Sequence, residues 1–461
     1  MLKAPDADDV DRRLNPRLER SDLVQWFFPE SRNHSLVGLE IECGLIRAHS
    51  GESVAYDEPL GSKVLLEALL DLLGGSPMVE GPTLVGVTLP DDSTITLEMA
   101  GAVEYSSMPT ESLTECLAAA RNRLIEVAQI ASGMQITVLT GGHLPFESPA
   151  GIKWVPKPRT RIMREHFRRL GEGGRFGDNV MGTTLSTQLS LDARSPQEYL
   201  AKFRAMVGAS PFIAALLVNT PSLQPRHNKY LSNRMLYWRK IDPARCQALT
   251  GRLWGASDLE ELVSGLASVP MIYRSRGNDF VAALDRSFEQ LIEDGFGDGS
   301  FPRLSDWVAH LGQVWPSVRP RRTLETRLPD GQAWANFCAL PALYVGLVEE
   351  PDVRNRVNAL VSDMSLDVLD STTVVAAERG WHGLTSRAQE VSLELLELAS
   401  EGLAGRISRG VESPALLESL DSVREVAETG VTFAEQAIQM WESECSRDPA
   451  KYVERLAVPA G

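Results

Sequence analysis

Val37-Gly38-Leu39-Glu40-Ile41-Glu42-Cys43 alternates strictly between apolar or small and acidic side chains. Successive side chains of a β-strand point to opposite faces. Val37, Leu39, Ile41 and Cys43 would therefore share one face, and Glu40 and Glu42 the other. The same alternation recurs in Thr94–Ser107, in Thr183–Asp192 and in Thr323–Leu328. Their polar faces hold Glu98 and Glu104, then Ser186, Gln188 and Ser190, then Glu325 and Arg327. Gly101, between Glu98 and Glu104, is a place where the second of these strands could bend and spoil the parity.

An antiparallel sheet with one face on a core and one in water explains any single one of these strands. Four together do not read as a solvated face, because the polar set is acidic residues, a glutamine and a Glu-x-Arg pair. Two carboxylates 4 Å apart repel by roughly 4 kcal/mol at an effective dielectric of 20. Glu40, Glu42, Glu98, Glu104 and Glu325 could not all stay ionised in one cradle without cations. Mg²⁺ or Mn²⁺, hard and oxygen-seeking, would neutralise them and bridge to nucleotide phosphates. Arg327 beside Glu325 would meet a phosphoryl group in transfer.

Other segments fix the surroundings. Ser62–Leu73 reads as a helix stopped by Gly74-Gly75, and Ser112-x-x-Glu115 opens a helix that runs to Gly133. Gln135–Leu139 reads as a buried strand and Ile162–Leu170 as a helix, followed by the loop Gly171–Gly177, a candidate lid. Residues 1–20 read as a flexible acidic arm and 21–350 as the catalytic unit. Residues 351–461, with helix starts at Ser386, Ser413-Pro414 and Thr432-x-x-Glu435, read as a helical layer packed on it.

Composition narrows the function classes. The 461 residues carry 46 Lys and Arg against 62 Asp and Glu, a formal net charge of −16. That disfavours nucleic acid or an anionic membrane as partner. The longest apolar stretch, Trp334–Val348, is too short for a membrane span and is interrupted by Asn336 and Pro341. The acidic N-terminus has no apolar core of a signal peptide. Five scattered cysteines without a C-x-x-C pair suit reduced thiols in the cytoplasm. No Walker-type phosphate loop, G-x-S-x-G or H-E-x-x-H motif is present.

The ordered set of segments resembles the glutamate–cysteine ligase family of plant and bacterial type, with its related carboxylate–amine ligases. It comprises Gly38–Glu42; Thr96-Leu97-Glu98 through Gly101–Ser107; Pro156-Lys157-Pro158-Arg159 with Ile162-Met163-Arg164; and Met181, Thr184 and Gln188–Asp192. It continues with Asn219-Thr220-Pro221; Ser232, Arg234, Trp238, Asp242 and Arg245; Asp306-Trp307 and His310-Leu311; Val318-Arg319-Pro320-Arg321 with Leu324–Arg327; and Leu340–Leu347. The resemblance implies an α+β fold similar to the catalytic domain of glutamine synthetase, a strongly curved antiparallel sheet flanked by helices with the site on its concave face. It implies that ATP phosphorylates the glutamate γ-carboxylate and that the amine of cysteine displaces phosphate. Glu40, Glu42, Glu98, Glu104, Glu325 and Gln188 would then surround Mg²⁺ or Mn²⁺, and Arg327 would stabilise the transferred group. Arg159 and Arg234 are candidates for binding substrate carboxylate or phosphate.

Glu98-Met99-Ala100-Gly101 stands where the family usually reads Glu-Pro-Gly-Gly, Val180-Met181 where it has two methionines, and Gln188-Leu189-Ser190 where it has Gln-Val-Asn. Amide ligation is thus better founded than cysteine as acceptor, and a ligase joining glutamate or another amino acid to a different amine is the alternative. A phosphotransferase that stops at the phosphorylated product would use the same groups. A two-carboxylate glycosidase is disfavoured by the number of acids. A non-catalytic binder that inherited the fold is the remaining class.

Overall fold

The computed structural model describes residues 18–28, 34–223, 230–277 and 279–460. Most of the expected N-terminal arm, residues 1–17, lies outside the described residues. Eleven strands are present among those described: β1 (Val37–Ile46), β2 (Ser76–Glu80), β3 (Thr83–Thr88), β4 (Thr94–Leu97), β5 (Val103–Ser106), β6 (Thr137–Leu139), β7 (Thr187–Leu191), β8 (Tyr273–Arg276), β9 (Asp279–Ala282), β10 (Val318–Pro320) and β11 (Leu324–Thr326). The main sheet runs β10-β11-β7-β1-β5-β4-β3-β2, with β6 added to the end of β1, while β8 and β9 form a separate hairpin. Every pairing in the main sheet is antiparallel.

The α+β class holds, but the strongly curved sheet does not. The strand order is linear and ends on two different strands, β10 and β2, so the sheet is open and not curled on itself. Closure would require those end strands to pair with each other. The site therefore lies on one face of an open sheet and takes its walls from helices and from the β8–β9 hairpin.

Alternation in β1 works as read. Val37, Leu39, Ile41 and Cys43 are buried, while Gly38, Glu40 and Glu42 are half-buried. The apolar face packs into the main core beneath the helices Leu113–Ser132 and Ala339–Val348. The helix Leu113–Ser132 starts where Ser112 Oγ accepts the Glu115 amide, as its sequence signal requires. Thr94–Ser107 is not one strand. It is the β4–β5 hairpin, turning through Glu98–Ala102 with Gly101 at φ +89°, a conformation that glycine adopts without a Cβ penalty. Glu98 thus sits in a turn at the sheet's rim.

After residue 350 the helices Pro351–Val361, Leu366–Gly383 and Ser386–Ser408 pack on the helices Pro196–Leu216 and Ala339–Val348. Ser386–Ser408 crosses Ala339–Val348 in backbone contact. A Cβ on Gly402 would fall 1.8 Å from the Gly346 carbonyl oxygen, and one on Gly346 would fall 2.2 Å from that of Ala399. A buried carboxylate fastens the same region to the sheet's helical cover. Glu412 accepts from the amides of Leu113 (3.0 Å) and Thr114 (2.8 Å), capping that helix from about 300 residues away, and is held by Arg406 at 2.7 Å.

Gly402→Ala forces the two helices apart and should lower stability by about 1–3 kcal/mol in urea unfolding. Gly410→Ala serves as the control at a glycine with open space around it, although its φ of +73° makes a small cost expected there too. Equal, small losses at both positions would remove the close helix crossing.

Candidate active site

Strand register places the chemistry. In an antiparallel pair, directly opposed residues project to the same face. Arg319 opposes Glu325, Glu325 opposes Ser190, and Ser190 opposes Gly38. One row along, Gln188 opposes Glu40 and Glu40 opposes Ser106. In the next, Glu42 opposes Glu104. These rows floor a cavity of about 520 Å³. Its walls come from Arg159 and Met163 on the helix Pro158–Arg169, Val180 and Met181, Arg234 and Trp238 on the helix Asn233–Lys240, Tyr273 and Phe280 on the β8–β9 hairpin, and Trp315.

The floor has two electrostatic halves. At one end Glu42, Glu98 and Glu104 each offer a carboxylate oxygen, and the three atoms lie within 4.8 Å of one another. Burial, then the neighbouring Glu98, pushes Glu42 up to about 8. Burial, then Glu40, Glu98 and Glu42, raises Glu104 well above the usual carboxylate range. Glu40 lies between the halves and is pushed up to about 7 by burial and then by Glu325. The oxygen-only donor set, crowded and short of positive charge, fits a divalent cation such as Mg²⁺.

At the other end one carboxylate is surrounded by arginines. Glu325, 1% exposed, accepts from Arg319 Nε (3.0 Å) and Nη2 (2.7 and 2.8 Å) and from Arg327 Nη1 (2.7 Å). Burial alone would raise Glu325, but Arg319, followed by Arg327 and Arg321, holds it down at about 2. Arg327 Nη1 also donates to Gln188 Oε1 at 3.0 Å, and its guanidinium lies over the Trp238 ring, 5.1 Å from the centroid. Gln188 in turn approaches Glu42 Oε1 at 3.4 Å, linking the halves.

Of the residues expected from sequence, Glu42, Glu98 and Glu104 come together as a ligand-like set, with Glu40 and Gln188 beside them on the same floor. Glu325 shares that face, but its oxygens are engaged by arginines. Arg234 is 2% exposed. Its Nη1 donates to the carbonyls of Arg327, Leu328 and Pro329 (2.6, 3.0 and 3.1 Å), and its Nε has no hydrogen-bond partner. Arg159 lines the cavity and pairs with Glu80 at 2.6 Å. The candidate lid is otherwise placed. Gly171–Gly174 forms a short 3₁₀ turn whose Gly173 carbonyl accepts the Asp242 amide, and none of residues 171–177 lines the cavity.

Two supporting residues were not singled out by sequence. Arg319 could have been, because a hairpin turning at Arg321–Thr323 necessarily opposes residues 319 and 325. Asp330 could not, because Pro329-Asp330-Gly331 reads as a surface turn. It is in fact buried and accepts from the Asn219 amide (2.7 Å), Thr220 Oγ1 (2.9 Å) and Ser232 Oγ (2.8 Å). Ser232 caps the helix that carries Arg234 and Trp238. Asp330 thereby ties that helix to the segment following Arg327.

The pattern of the glutamate-cysteine ligase family 2 (GCS2) matches residues 36–455. The chain is 29% identical over 436 residues to the chloroplastic glutamate–cysteine ligase of Brassica juncea, covering 93% of this chain and 82% of that protein. It is 28% identical over 448 residues to the Arabidopsis thaliana protein of the same name, covering 95% and 83%. Among solved structures, the glutamate–cysteine ligase of Francisella tularensis in complex with AMP shares the fold at a TM-score of 0.57 with 11% identity, over 94% of this chain and 90% of that one. A bifunctional glutathione synthetase from Pasteurella multocida shares it at 0.54 with 13% identity, over 95% of this chain and 54% of that one. With the family pattern spanning both the sheet and the helices behind it, the chain belongs to the glutamate–cysteine ligase family.

Proposed function

We propose that this chain is an ATP-dependent ligase that joins the γ-carboxylate of glutamate to the amine of cysteine, yielding γ-glutamylcysteine, ADP and phosphate. The observation that carries the reading is a carboxylate triad and an arginine on one sheet face: Glu42, Glu98 and Glu104 at one end, and Arg327, gripped by Glu325 and Gln188, at the other. The plant relatives described above are glutamate–cysteine ligases by name, and the chain itself matches that family's pattern.

Each group has a task in that reaction. Glu42, Glu98 and Glu104, with Glu40 and Gln188 beside them, are the residues to hold Mg²⁺ or Mn²⁺. Bound there, a divalent ion neutralises phosphate oxygens and the charge that shifts during phosphoryl transfer. Arg327 donates from a guanidinium fork to the phosphoryl oxygens as the group passes from ATP to the glutamate carboxylate. The salt bridge to Glu325 fixes that fork in place. The cysteine amine then attacks the acyl carbon, and phosphate leaves with the bonding pair. Arg234, which lines the cavity and has a buried, unpartnered Nε, is the candidate for an amino-acid carboxylate, and Arg159 is the candidate for a second anionic group. Met99, Met163, Trp238 and Trp315 form apolar walls that keep water from the acyl phosphate. Cytoplasmic placement is supported by five cysteines that are buried and unpaired.

A second reading keeps the chemistry and changes the acceptor. Met99 and Val180 line the cavity at positions where the sequence departs from the family's usual reading, which favours a cavity wall of altered shape. Incubation with ATP, Mg²⁺ and glutamate against a panel of amines, read by mass spectrometry, decides between them. Cysteine adducts in preference to all others are expected. ADP release with glutamate alone, undiminished by omitting every amine, would instead identify a phosphotransferase.

Glu42→Gln and Glu104→Gln should each lower kcat by about 10²-fold or more while circular dichroism stays unchanged. Arg327→Lys should fail to a similar degree, because a point charge cannot replace a two-pronged donor. Near-normal turnover in any of the three would remove the corresponding role. Cation binding must also displace protons from Glu40 and Glu42, held at about 7 and about 8, and from Glu104. These groups are protonated at low pH and ionise as pH rises, so apparent Mn²⁺ affinity should climb between about pH 6 and pH 8.5, with proton release in calorimetry. A flat pH profile would contradict the buried-carboxylate site.

A further inference from the structure

Asp242 stands outside the cavity, yet three of the four apolar residues that wall it are tied to this one carboxylate. Asp242 is 4% exposed and adopts φ +35°, a conformation that a non-glycine residue keeps only where its surroundings hold it. What holds it is polar. Its amide donates to the Gly173 carbonyl (2.8 Å), and its Oδ2 accepts from His166 Nε2 (2.7 Å) and from Arg245 Nε (2.7 Å). His166 and Arg245 are themselves 5% and 1% exposed. Neither they nor Asp242 line the cavity.

Each of these bonds leads to a wall. His166 lies three residues after Met163 on the helix Pro158–Arg169, so the two share one side of it. Trp238 belongs to the helix Asn233–Lys240, which ends two residues before Asp242. Arg245 accepts the Trp315 amide on its carbonyl (2.8 Å). Arg245 Nη1 also donates to the Gln313 carbonyl (3.3 Å), and the buried Gln313 side chain accepts the Tyr273 amide (3.1 Å) and donates to the Tyr273 carbonyl (2.8 Å). Met163, Trp315 and Tyr273 share one apolar cluster with Trp238 packed against it, and the Trp238 and Trp315 ring centroids are 5.6 Å apart. Four separate stretches of chain thus reach the cavity through a single polar frame. The floor is built without it, since Glu42 and Glu104 lie on β1 and β5 and Glu98 in the β4–β5 turn.

A buried carboxylate paired in this way adds little net stability over apolar packing, but removing it strands the buried donors that it satisfied. The consequence here is geometric, because the stranded groups are the ones that set the walls against each other. We propose that Asp242 is a positioning residue that keeps the cavity walls closed against water, so that the acyl phosphate passes to an amine and is not hydrolysed. This rests on the ligase reading above and adds to it the residue that governs which nucleophile arrives. With the walls apart, water takes the place of the amine: its oxygen bonds to the acyl carbon, phosphate leaves with the bonding pair, the freed proton passes to solvent, and glutamate is regenerated. Each such event converts ATP to ADP and phosphate with no amide formed.

The test measures ADP released and γ-glutamylcysteine formed in the same reaction, with ATP, Mg²⁺, glutamate and cysteine, for the wild-type protein, Asp242→Asn and His166→Gln. Wild type should release about one ADP per amide, and each variant about threefold more or beyond. Mn²⁺ binding without nucleotide, followed by electron paramagnetic resonance, should stay within about twofold of wild type in both variants, because the carboxylates of the floor share no partner with Asp242. Loss of folded protein lowers ADP and amide together and leaves their ratio unchanged, so the ratio separates wall position from stability. His166→Gln, which breaks one arm only, stands in if Asp242→Asn unfolds. A ratio near one in the variants overturns the assignment. A fall in Mn²⁺ affinity of about tenfold also overturns it, since Asp242 would then act on the floor. A wild-type protein that releases ADP and forms no amide would instead overturn the ligase reading itself.

Discussion

Glu42 and Glu104 face each other across the antiparallel pair β1–β5, and the β4–β5 turn adds Glu98 to them. Three carboxylates crowded on a half-buried sheet face are an unfavourable arrangement, and burial with repulsion from the neighbouring acids opposes ionisation of Glu42 and Glu104. Ordinary neighbours relieve it only in part: Arg234, Ser186 and Arg327 favour the ionised form of Glu42 but do not offset its burial. Gln188 and Ser106 offer only long contacts of 3.4 Å to Glu42 and Glu104. The fold nevertheless enforces it, because slipping β1 by one residue would carry Val37, Leu39, Ile41 and Cys43 out of the main core. Apolar burial on one face thus fixes electrostatic stress on the other, and that stress is what the proposed divalent cation would relieve.

Glu325 shows the opposite solution to the same problem. More deeply buried and on the same face, it is paired with Arg319 and Arg327 and is held ionised. The two ends differ in what neutralises the acid: fixed protein cations at one, and, in the function proposed above, an exchangeable ion at the other. Phosphoryl transfer from ATP to a carboxylate needs both, since negative charge must be met at the leaving oxygens and at the group in flight. Arg327 stands at the junction, touching Glu325 and Gln188, while Gln188 reaches toward Glu42.

Much of this was legible in the sequence because period-two alternation reports which residues share a face whatever the partner strands are. Spacing alone paired Glu40 with Glu42 and Glu325 with Arg327 and set Gln188 in the polar set of its own strand, and register then brings those strands side by side. What alternation does not report is sheet shape or strand length. The open strand order β10 to β2 contradicts the curved sheet taken from resemblance. Thr94–Ser107 proved to be a hairpin because Gly101 adopts a positive φ that turns the chain. Asp330 was invisible for a related reason: its sequence is that of a surface turn, and only packing of 219–220 and 232 around it makes it a buried hub. Glu325 was read as one more metal ligand, since a sequence does not show which cations already hold a carboxylate.

The central claim is that Glu42, Glu98 and Glu104 form a divalent-cation site next to Arg327. Its most direct test is a crystal structure grown with Mn²⁺ and ADP, with anomalous diffraction measured at the manganese edge. The account predicts an anomalous peak bounded by those three carboxylates, on the same side of the sheet as Arg327. A bound nucleotide with manganese held elsewhere, and the three carboxylates still bare of it, would contradict the account.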